Sequence, residues 1–496
     1  MNVILVNGIY DLMPSRSLGP YLLRHVLAKN GYSCQVIDHC QEFTSDELYE
    51  YITHFVTDDT VCLGFSTTFW RDIEKKIWNN GWGMPPNLYH ASVKFKQNFP
   101  HIKLVLGGAG IRNVGDHVEH VDALVVGESE DLFIELLDHW TKGTPEPPVK
   151  INKTLNKPYY NQCINKTYDI SKCDFMWEEK DCILHGEPLP LETARGCIFK
   201  CKFCSYPHLG KKKFDYLKPL DNIRNHMLRN YEKFGTRHYI MLDDTFNDSE
   251  YKIDSFLEMT RTLPFKIGYV AYIRADLVHR FEGMAEKLQE SGLEACFFGL
   301  ESLHPYASMA VGKGWSGKHA REYIPHLLHN IWNDKVNVTT GFIVGLPRET
   351  EESLLDTLKW VNDNDIMTFW LGLGISSPAS LAAGSMDGVA FSSEFERNAE
   401  VYGYKFDDKG WWYTDLFDHH KAQKFAMESL NFKRKLKRIS CWFHIQLRAF
   451  GYTEDELWDI AKSNLTHNGF LANEEFNRRK ADYIRRYKEK LMNLKN

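Results

Sequence analysis

Six short apolar runs alternate with loops and helical patterns between residues 188 and 378. They read LETAR, HYIML, IGYVAYI, EACFFGL, VNVTTGFIVG and TFWLGLGI, and a helical pattern from Glu351 to Asn362 separates the last two. Continuously apolar strands that alternate with helices form parallel sheets, because each crossover helix covers one face. Six such units in succession predict a partial (β/α)6 barrel of the TIM type, in which functional side chains collect at the strand ends.

The same alternation occupies residues 1–145. A strand-like start, MNVILVN, is followed by a helical pattern over Leu18–Lys29, a strand at Cys34–Ile37 and a helix over Ser45–His54. The runs VCLGFS, KLVLGG and ALVVG each end in small residues. This pattern predicts a Rossmann-like, doubly wound domain whose ligands lie beyond the strand ends. The residues at those ends are Ser66, Thr67, Gly107, Gly108 and Gly127.

Two further regions lack this alternation. Residues 146–187 are rich in Pro, Asn, Lys and Tyr and are predicted to be a surface linker. Residues 379–496 are predicted to form a mainly helical domain that caps the barrel, with a solvated, mixed-charge helix at the end. Its aromatic residues either line a substrate pocket or form core: Trp411, Trp412, Tyr413, His419, His420, Trp442 and His444.

Bulk properties narrow the class of protein. A chain of 496 residues favours two or three domains, and a net charge of −6 gives no electrostatic case for nucleic acid. The start, MNVILVNGIY, reads as a buried strand and not as a basic leader. No apolar run is long enough to span a bilayer. We therefore expect a cytoplasmic protein without a membrane partner.

One cysteine trio has the spacing of a metal site. The segment RGCIFKCKFCSYP places Cys197, Cys201 and Cys204 directly after the first barrel strand, whereas the other eight cysteines have no ligand-like spacing. Three thiolates on one loop suit three corners of a cubane iron–sulfur cluster and leave its fourth iron for a small chelating molecule. A zinc site with His208 as fourth ligand is the alternative. A redox dithiol would leave Cys197 without a role.

The C-x3-C-x2-C spacing, with the aromatic Phe203 before the third cysteine, resembles the signature of radical S-adenosylmethionine (SAM) enzymes. The resemblance continues in order to residue 378 through LDDTFN, IRAD, FGLES and GFIVGLPRET. It implies a [4Fe–4S] cluster on the three cysteines. It also implies reductive cleavage of SAM to methionine and a 5′-deoxyadenosyl radical.

The same resemblance implies a set of SAM-binding residues at successive strand ends. Asp243 and Asp244 stand where the family binds the methionine amino group, although the usual Gly-Gly-Glu is absent. Glu301 stands at the ribose position. The adenine would meet the backbone around Phe203. It would also meet Gly341 and Ile343, two residues of the fifth predicted strand.

Residues 1–140 resemble the cobalamin-binding domain of one branch of this family, through KLVLGGAG and DALVVGESED. Many such domains carry D-x-H-x-x-G, whose histidine ligates cobalt, but this chain reads IDHCQEF. We therefore expect His39 to be a capping or surface residue and not a ligand. A domain that keeps the fold without cobalamin is the alternative, and a second cluster on Cys34, Cys40 and Cys62 fits poorly. The resemblance implies this cobalamin face: Ser66, Thr67, Gly107, Gly108, Gly127 and Glu128.

The leading functional hypothesis is a cobalamin-dependent radical methyltransferase that acts on an unactivated carbon. Rearrangement, cyclisation or epimerisation on the same architecture is the first alternative, and a non-catalytic iron–sulfur or zinc binding or sensor protein is the second. The family resemblance implies an external electron donor such as flavodoxin or ferredoxin. Hydrogen-atom abstraction needs no acid–base pair, so no catalytic side chain is assigned, and the substrate stays open among small molecules, peptides and nucleobases.

Overall fold

The computed structural model describes residues 1–8, 16–70, 84–108, 111, 118–127, 129–152, 156–161, 169–205, 217–378, 392–430, 439–462 and 473–494. The chain divides into two compact units. The N-terminal unit comprises Met1–Asp169, Cys173–Pro190 and Arg478–Asn496. The barrel unit comprises Ile170–Lys172 and Leu191–Asn477.

The N-terminal unit is built on a seven-stranded sheet of order β2-β1-β3-β4-β5-β7-β6. All neighbours are parallel except β6 and β7. The order 2-1-3-4-5 is the doubly wound arrangement predicted from the sequence. The strand order reverses between the parallel strands β1 and β3, and ligands bind at such a point in sheets of this kind. Its strands are β1 (Asn2–Val6), β2 (Ser33–Ile37), β3 (Thr60–Ser66), β4 (Lys103–Gly107), β5 (Ala123–Val126), β6 (Val149–Asn152) and β7 (Lys157–Asn161).

Local sequence explains the helices that cover this sheet, namely α1 (Leu18–Lys29), α2 (Ser45–His54), α3 (Pro86–Asn98) and α4 (Glu130–Lys142). A reciprocal capping box begins α2, because the Thr44 hydroxyl accepts from the Glu47 N–H and the Glu47 carboxylate accepts from the Thr44 N–H. Gly143, in the left-handed conformation, ends α4.

Part of the segment predicted as a linker, residues 146–187, belongs to this sheet. Strand β7 pairs with β5 and buries Tyr159 and Tyr160, and β6 pairs with β7. The Tyr160 hydroxyl donates to Glu146 at 2.6 Å. The polar and proline-rich composition conceals this strand pair, because only two apolar side chains face the core.

The barrel unit contains the predicted parallel sheet of six strands in sequential order, β8 to β13. Its strands are β8 (Leu189–Leu191), β9 (His238–Met241), β10 (Gly268–Ile273), β11 (Leu293–Glu301), β12 (Asn337–Val344) and β13 (Met367–Gly372). The intervening helices are α5 (Leu220–Phe234), α6 (Glu250–Arg261), α7 (Ala275–Arg280), α8 (Met284–Glu290), α9 (Pro305–Ala310), α10 (Gly317–His326) and α11 (Glu351–Asp363). Strand β8 ends at Leu191, so the predicted strand LETAR is mostly loop.

The C-terminal region is mainly helical, as predicted, with one short hairpin of β14 (Lys405–Phe406) and β15 (Trp412–Tyr413). Its helices are α12 (Glu394–Arg397), α13 (His419–Leu430), α14 (Cys441–Ala449), α15 (Glu454–Lys462) and α16 (Glu474–Met492). Helix α13 packs against β12 and β13, and α14 packs against β9 to β12. Within the described part of the chain, every helix is too short or too polar to cross a membrane.

The prediction of a solvated final helix is wrong. One face of α16 is buried, and the backbone N–H of Asp38 donates to the Tyr487 hydroxyl at 2.7 Å. The charges of RRKADYIRRYKEK conceal an apolar face at helical spacing. That face consists of Tyr483, Ile484, Tyr487 and Leu491.

Candidate functional site

The loop after β8 carries the three cysteines. Cys197 is buried, whereas Cys201 and Cys204 are partly exposed. The loop turns back on itself, since the Cys204 N–H donates to the Cys201 carbonyl at 3.1 Å. It is tied to the segment after α9, because the Lys202 N–H donates to the Val311 carbonyl at 3.0 Å. Both bonds are local to the barrel unit and hold the thiols at the end of its first strand.

The surroundings of Cys197 disfavour a free thiolate. Burial raises the pKa of Cys197, and the nearby Asp244 and Cys201 raise it further. Hydrogen bonds with the Thr245 hydroxyl and the Phe199 N–H lower it in part. Among the described residues, no three His, Cys, Asp or Glu side chains converge closely enough to hold a single ion. His208, the fourth ligand of the zinc alternative, lies outside the described residues.

Arg274 fixes a positive charge beside this loop. Its guanidinium lies 3.9 Å from the centre of the Phe199 ring and forms a two-pronged pair with Asp276, with bonds of 2.9 and 2.6 Å. Burial opposes the charge, but Asp276 and the thiols of Cys201 and Cys197 raise the pKa of Arg274. Arg274 thus holds the cysteine loop and offsets thiolate charge.

Glu301 ends β11 and is paired with a lysine that the sequence motifs did not predict. Lys313 Nζ lies 2.6 Å from Glu301 Oε1 and donates to the Gly299 carbonyl at 2.5 Å. The same ammonium lies 5.9 Å from the centre of the Phe203 ring. A Cβ at Gly299 would approach Glu301 Oε1 to 2.3 Å and Lys313 Nζ to 2.9 Å, so a larger residue here would displace this pair. Glu301, predicted to bind the ribose, and Phe203, predicted to meet the adenine, therefore both lie near the ammonium of Lys313.

The partners of Asp243 indicate a structural role, whereas the sequence predicted contact with the methionine amino group of SAM. Its buried carboxylate accepts from the Thr193 N–H at 2.8 Å, from the Ala194 N–H at 3.0 Å and from the Thr193 hydroxyl. Lys252 Nζ lies 2.8 Å from the same carboxylate. Four donors occupy this group, which fastens the start of the cysteine loop to the end of β9.

Asp244 is the better placed of the two predicted aspartates. It is exposed, and its charge contributes to raising the pKa of both Cys197 and Tyr272. Its carboxylate therefore lies at the barrel mouth, near the cysteine loop. That position suits contact with an amino group of a molecule bound at the loop.

Gly341 and Ile343 lie on β12 as predicted, with Gly341 buried and Ile343 partly exposed. A Cβ at Gly341 would come 2.4 Å from the Phe297 ring, so glycine here makes room for an aromatic side chain. The turn after β12 is held by the buried Glu349, which accepts from the Gly345 and Leu346 N–H groups at 3.2 and 3.1 Å. Burial raises the pKa of Glu349 to about 8.

The aromatic residues of the C-terminal region separate into different places. Trp442 joins the barrel strands, with ring centres 4.9 Å from Phe297 and 5.6 Å from Phe369 and with its Nε1 3.3 Å from the Tyr272 hydroxyl. Trp411 instead stacks on His419. The remaining buried members serve the core, because Trp412 donates to the Leu373 carbonyl and His444 lies 2.9 Å from Glu294.

The ends of the N-terminal strands form a glycine-lined edge with unpartnered polar atoms. Gly108 and Gly127 have φ of 106° and 87°, and a Cβ at Gly108 would come 2.7 Å from the Thr68 hydroxyl. Thr67 is fully buried, and neither its hydroxyl nor the Trp70 indole N–H has a hydrogen-bond partner among the described residues. This edge fits a flat polar cofactor near the β1/β3 boundary. Ser66 and Gly107 lie on the same edge as predicted, whereas Glu128 falls outside the described residues.

His39 is not a surface residue; it stands at the N-cap of the 3-10 turn Cys40–Glu42, but its side chain makes no capping hydrogen bond. Its side chain is 1% exposed, its Nε2 lies 3.1 Å from the Tyr483 hydroxyl, and Tyr487 packs edge-on against its ring. Burial lowers the pKa of His39 strongly. It follows β2, one strand away from the β1/β3 boundary, and its exclusion as a cobalt ligand stays a prediction.

Comparison with known families identifies the barrel. The model described as "Radical SAM superfamily" matches residues 191–361, which are therefore a radical SAM domain. This match covers the cysteine loop and all predicted SAM-binding residues. It confirms the resemblance inferred from the motifs.

Curated relatives are distant and partial. The chain is 27% identical over 259 residues to an uncharacterized methyltransferase of Pyrococcus horikoshii, covering 50% of this chain and 54% of that protein. It is 22% identical over 273 residues to bacteriochlorophyllide d C-12(1)-methyltransferase of Chlorobaculum tepidum, covering 53% and 55%. The chain spans about half the length of the curated relatives it matches.

Solved structures share the fold over nearly the whole chain. The cobalamin-dependent SAM radical enzyme OxsB, solved with aqua-cobalamin and SAM, has a TM-score of 0.60 at 16% identity and covers 98% of this chain and 75% of its own. The radical SAM methyltransferase TsrM of Kitasatospora setae, solved with cobalamin and a [4Fe–4S] cluster, has a TM-score of 0.58 at 14% identity and covers 93% and 99%. These likenesses confirm the predicted fold, a Rossmann-like domain followed by a partial barrel.

Proposed function

We propose that this chain is a cobalamin-dependent radical SAM methyltransferase that acts on an unactivated carbon. The observation that carries the proposal is the cysteine loop at the end of β8, with the Glu301–Lys313 pair beside Phe203. When bound, a [4Fe–4S] cluster supplies the electron that cleaves SAM to methionine and a 5′-deoxyadenosyl radical.

Different residues around the cysteine loop would bind different groups of SAM. Cys197, Cys201 and Cys204 would hold three irons and leave the fourth for the amino and carboxylate groups of SAM. Asp244 lies where it could accept from the amino group, and Lys313 provides a cation for the carboxylate. The pairing of Glu301 with Lys313 would hold both side chains in place before SAM arrives.

Adenine and ribose contacts follow from the same geometry. Glu301 would accept from the ribose hydroxyls, and the backbone around Phe203 would meet the adenine together with Gly341 and Ile343. Arg274 holds the loop against Phe199, which keeps the thiols in position. Asp243 supports the loop from behind through Thr193 and does not touch SAM.

Cobalamin would bind at the strand ends of the N-terminal unit. The unpartnered Thr67 hydroxyl and Trp70 indole, with the positive-φ glycines, are the support for this assignment. Bound cobalamin supplies the methyl group that is transferred. His39 of the IDHCQEF stretch is buried against Tyr483, so we propose that the residues here cradle the cofactor without coordinating cobalt.

Partners and location follow from this activity. An external one-electron donor such as flavodoxin or ferredoxin would reduce the cluster, and a cytoplasmic setting would keep the thiols reduced. The substrate is a small molecule, a peptide or a nucleobase. The rings of Trp442, Phe297 and Phe369 would form one wall of the substrate site.

Anaerobic reconstitution with iron, sulfide and hydroxocobalamin tests the assignment. We expect about four irons and about one cobalt per chain after desalting. Reduction with SAM present should release 5′-deoxyadenosine, and Cys197→Ala/Cys201→Ala/Cys204→Ala should abolish both the iron and this product. Zinc in place of iron would refute the radical function and favour a binding or sensor protein.

A second candidate keeps the cofactors but changes the reaction. The structural likeness to OxsB extends over 98% of this chain, and its description as a radical enzyme names no methyl transfer. A rearrangement, cyclisation or epimerisation would then use the same site. Labelled methyl from SAM entering a product would exclude this candidate.

A further inference from the structure

A cavity lies in the barrel unit between the loop after β8, the start of α5 and helix α6. Its volume is about 450 Å³, within the range of small-molecule pockets. The polar residues of its lining are Thr193, Lys218, Tyr251, Lys252 and Ser255. The rest of its wall is apolar, from Leu217, Pro219, Leu220, Ile223 and Phe256.

Lys218 lies in this wall and has no counterion among the described residues. Its residue is 8% exposed, and its backbone N–H donates to the Thr193 carbonyl. Within the described part of the chain, no carboxylate or carbonyl lies within hydrogen-bonding or ion-pair distance of its ammonium. An ammonium that lines a largely apolar cavity without a partner can pair with an anion that enters the cavity.

Lys252, in the same cavity wall, shows the usual arrangement by contrast. It is 7% exposed, and its ammonium lies 2.8 Å from Asp243 and 3.8 Å from Asp248. The two lysines therefore have similar burial but different partners. Asp243 and Asp248 pair with the ammonium of Lys252, whereas no carboxylate in the described part of the chain pairs with that of Lys218.

The start of α5 adds positive potential to the same place. Helix α5 has 15 residues, and its N-cap, Pro219, supplies no side-chain hydrogen bond to the first turn. The free N–H groups of a first helical turn attract an anion, and the helix dipole adds to this attraction. Asp221 is the acidic residue of this turn, but it is exposed and does not line the cavity.

We propose that this cavity binds a small molecule with an apolar body and a single carboxylate. One unpaired ammonium beside an uncapped helix start matches one negative charge, whereas a phosphate dianion would keep part of its charge unpaired. The apolar walls match the body of the ligand. This site is separate from the cysteine loop, and the proposal does not depend on radical chemistry.

Calorimetric titration of the whole chain with octanoate and with octanamide tests the proposal. The two probes share an apolar tail and differ in charge at the head. We expect one octanoate per chain, bound at least about tenfold more tightly than octanamide, because a hydrogen bond to a charged group adds that much. Equal affinity for the two probes, or no saturable binding of octanoate, would overturn the proposal.

Variants locate the binding. Lys218→Met should abolish the preference for octanoate, whereas Lys233→Met, an exposed lysine of the same helix, should keep it. Ser255→Phe fills the cavity without removing charge and should abolish binding of both probes. Octanoate binding that survives Ser255→Phe would place the ligand elsewhere and refute this site, even if Lys218→Met failed to fold.

Discussion

Lys313 Nζ lies 2.6 Å from Glu301 Oε1, and the backbone of Glu301 has a φ of 65°. A non-glycine residue in the left-handed region costs of order 1–3 kcal/mol, and surrounding contacts must hold it there. The ion pair and the bond from Lys313 to the Gly299 carbonyl supply those contacts. The strained strand end thus points a carboxylate toward Phe203 and the cysteine loop.

The first prediction concerns this pair. Lys313→Met should weaken SAM binding by about tenfold or more, because it removes a cation for the SAM carboxylate and frees Glu301 to move. Equilibrium dialysis of the reconstituted protein with labelled SAM measures the loss. Lys318→Met, which changes an exposed lysine a few residues later, is the control. Unchanged affinity in Lys313→Met would show that Lys313 serves only the fold of the strand end.

The second prediction concerns the charge beside the cluster loop. Arg274→Gln should lower the reduction potential of the reconstituted cluster by roughly 20–60 mV, since 59 mV corresponds to a tenfold change for one electron. The physical cause is the loss of a buried cation near Cys197 and Cys201. A redox titration followed by electron paramagnetic resonance measures it. Arg280→Gln, exposed on the same helix α7, should leave the potential unchanged, and an equal shift in both variants would contradict the assignment.

The third prediction separates two neighbouring aspartates. Asp243→Asn should destabilise the protein by about 3 kcal/mol, because the buried Lys252 loses its ion-pair partner. Asp244→Asn should change stability by less than about 0.5 kcal/mol but weaken SAM binding, since its carboxylate is exposed at the barrel mouth. Urea unfolding and SAM dialysis measure the two effects. Similar behaviour of the two variants in both measurements would refute the division of roles.

Periodicity and caps predicted the regular elements well. The bounds of α1 and α2 agree with the helical patterns over Leu18–Lys29 and Ser45–His54, where amphipathic spacing coincides with clear ends. The strand pair β6–β7 and the buried face of α16 were missed. In both, polar residues outnumber the few apolar and aromatic side chains that enter the core. Composition alone therefore predicts exposure, whereas the spacing of those side chains indicates a buried face.

The site was predictable where the family motif is local and not where folding assembles it. The cysteine loop and Glu301 follow from short motifs. Lys313 lies 12 residues beyond Glu301, and only the fold brings the two together. One signal was present, because Gly312 and Gly314 flank it with φ of 82° and 71°, which marks a tight loop built around a single lysine.

The fourth prediction is a pH dependence from Glu349. Burial raises the pKa of this carboxyl to about 8, so the folded state binds a proton that the unfolded chain has released above about pH 4.5. Its contribution to stability is therefore full at low pH and is lost as pH rises from about 4.5 to 8, with a limiting slope of about 1.4 kcal/mol per pH unit. Glu349→Gln should lose less stability than the unchanged protein between pH 6 and 9.

Urea midpoints at those two pH values measure the fourth effect. Gln keeps an oxygen that accepts from the Gly345 and Leu346 N–H groups, so the turn after β12 should survive the change. Glu351→Gln, in the exposed first turn of α11, is the matched control and should follow the unchanged protein. If Glu349→Gln and Glu351→Gln show the same fall in stability with pH, the buried carboxyl is not the titrating group. A fall confined to chains that keep Glu349 would assign the pH dependence to the turn that follows β12.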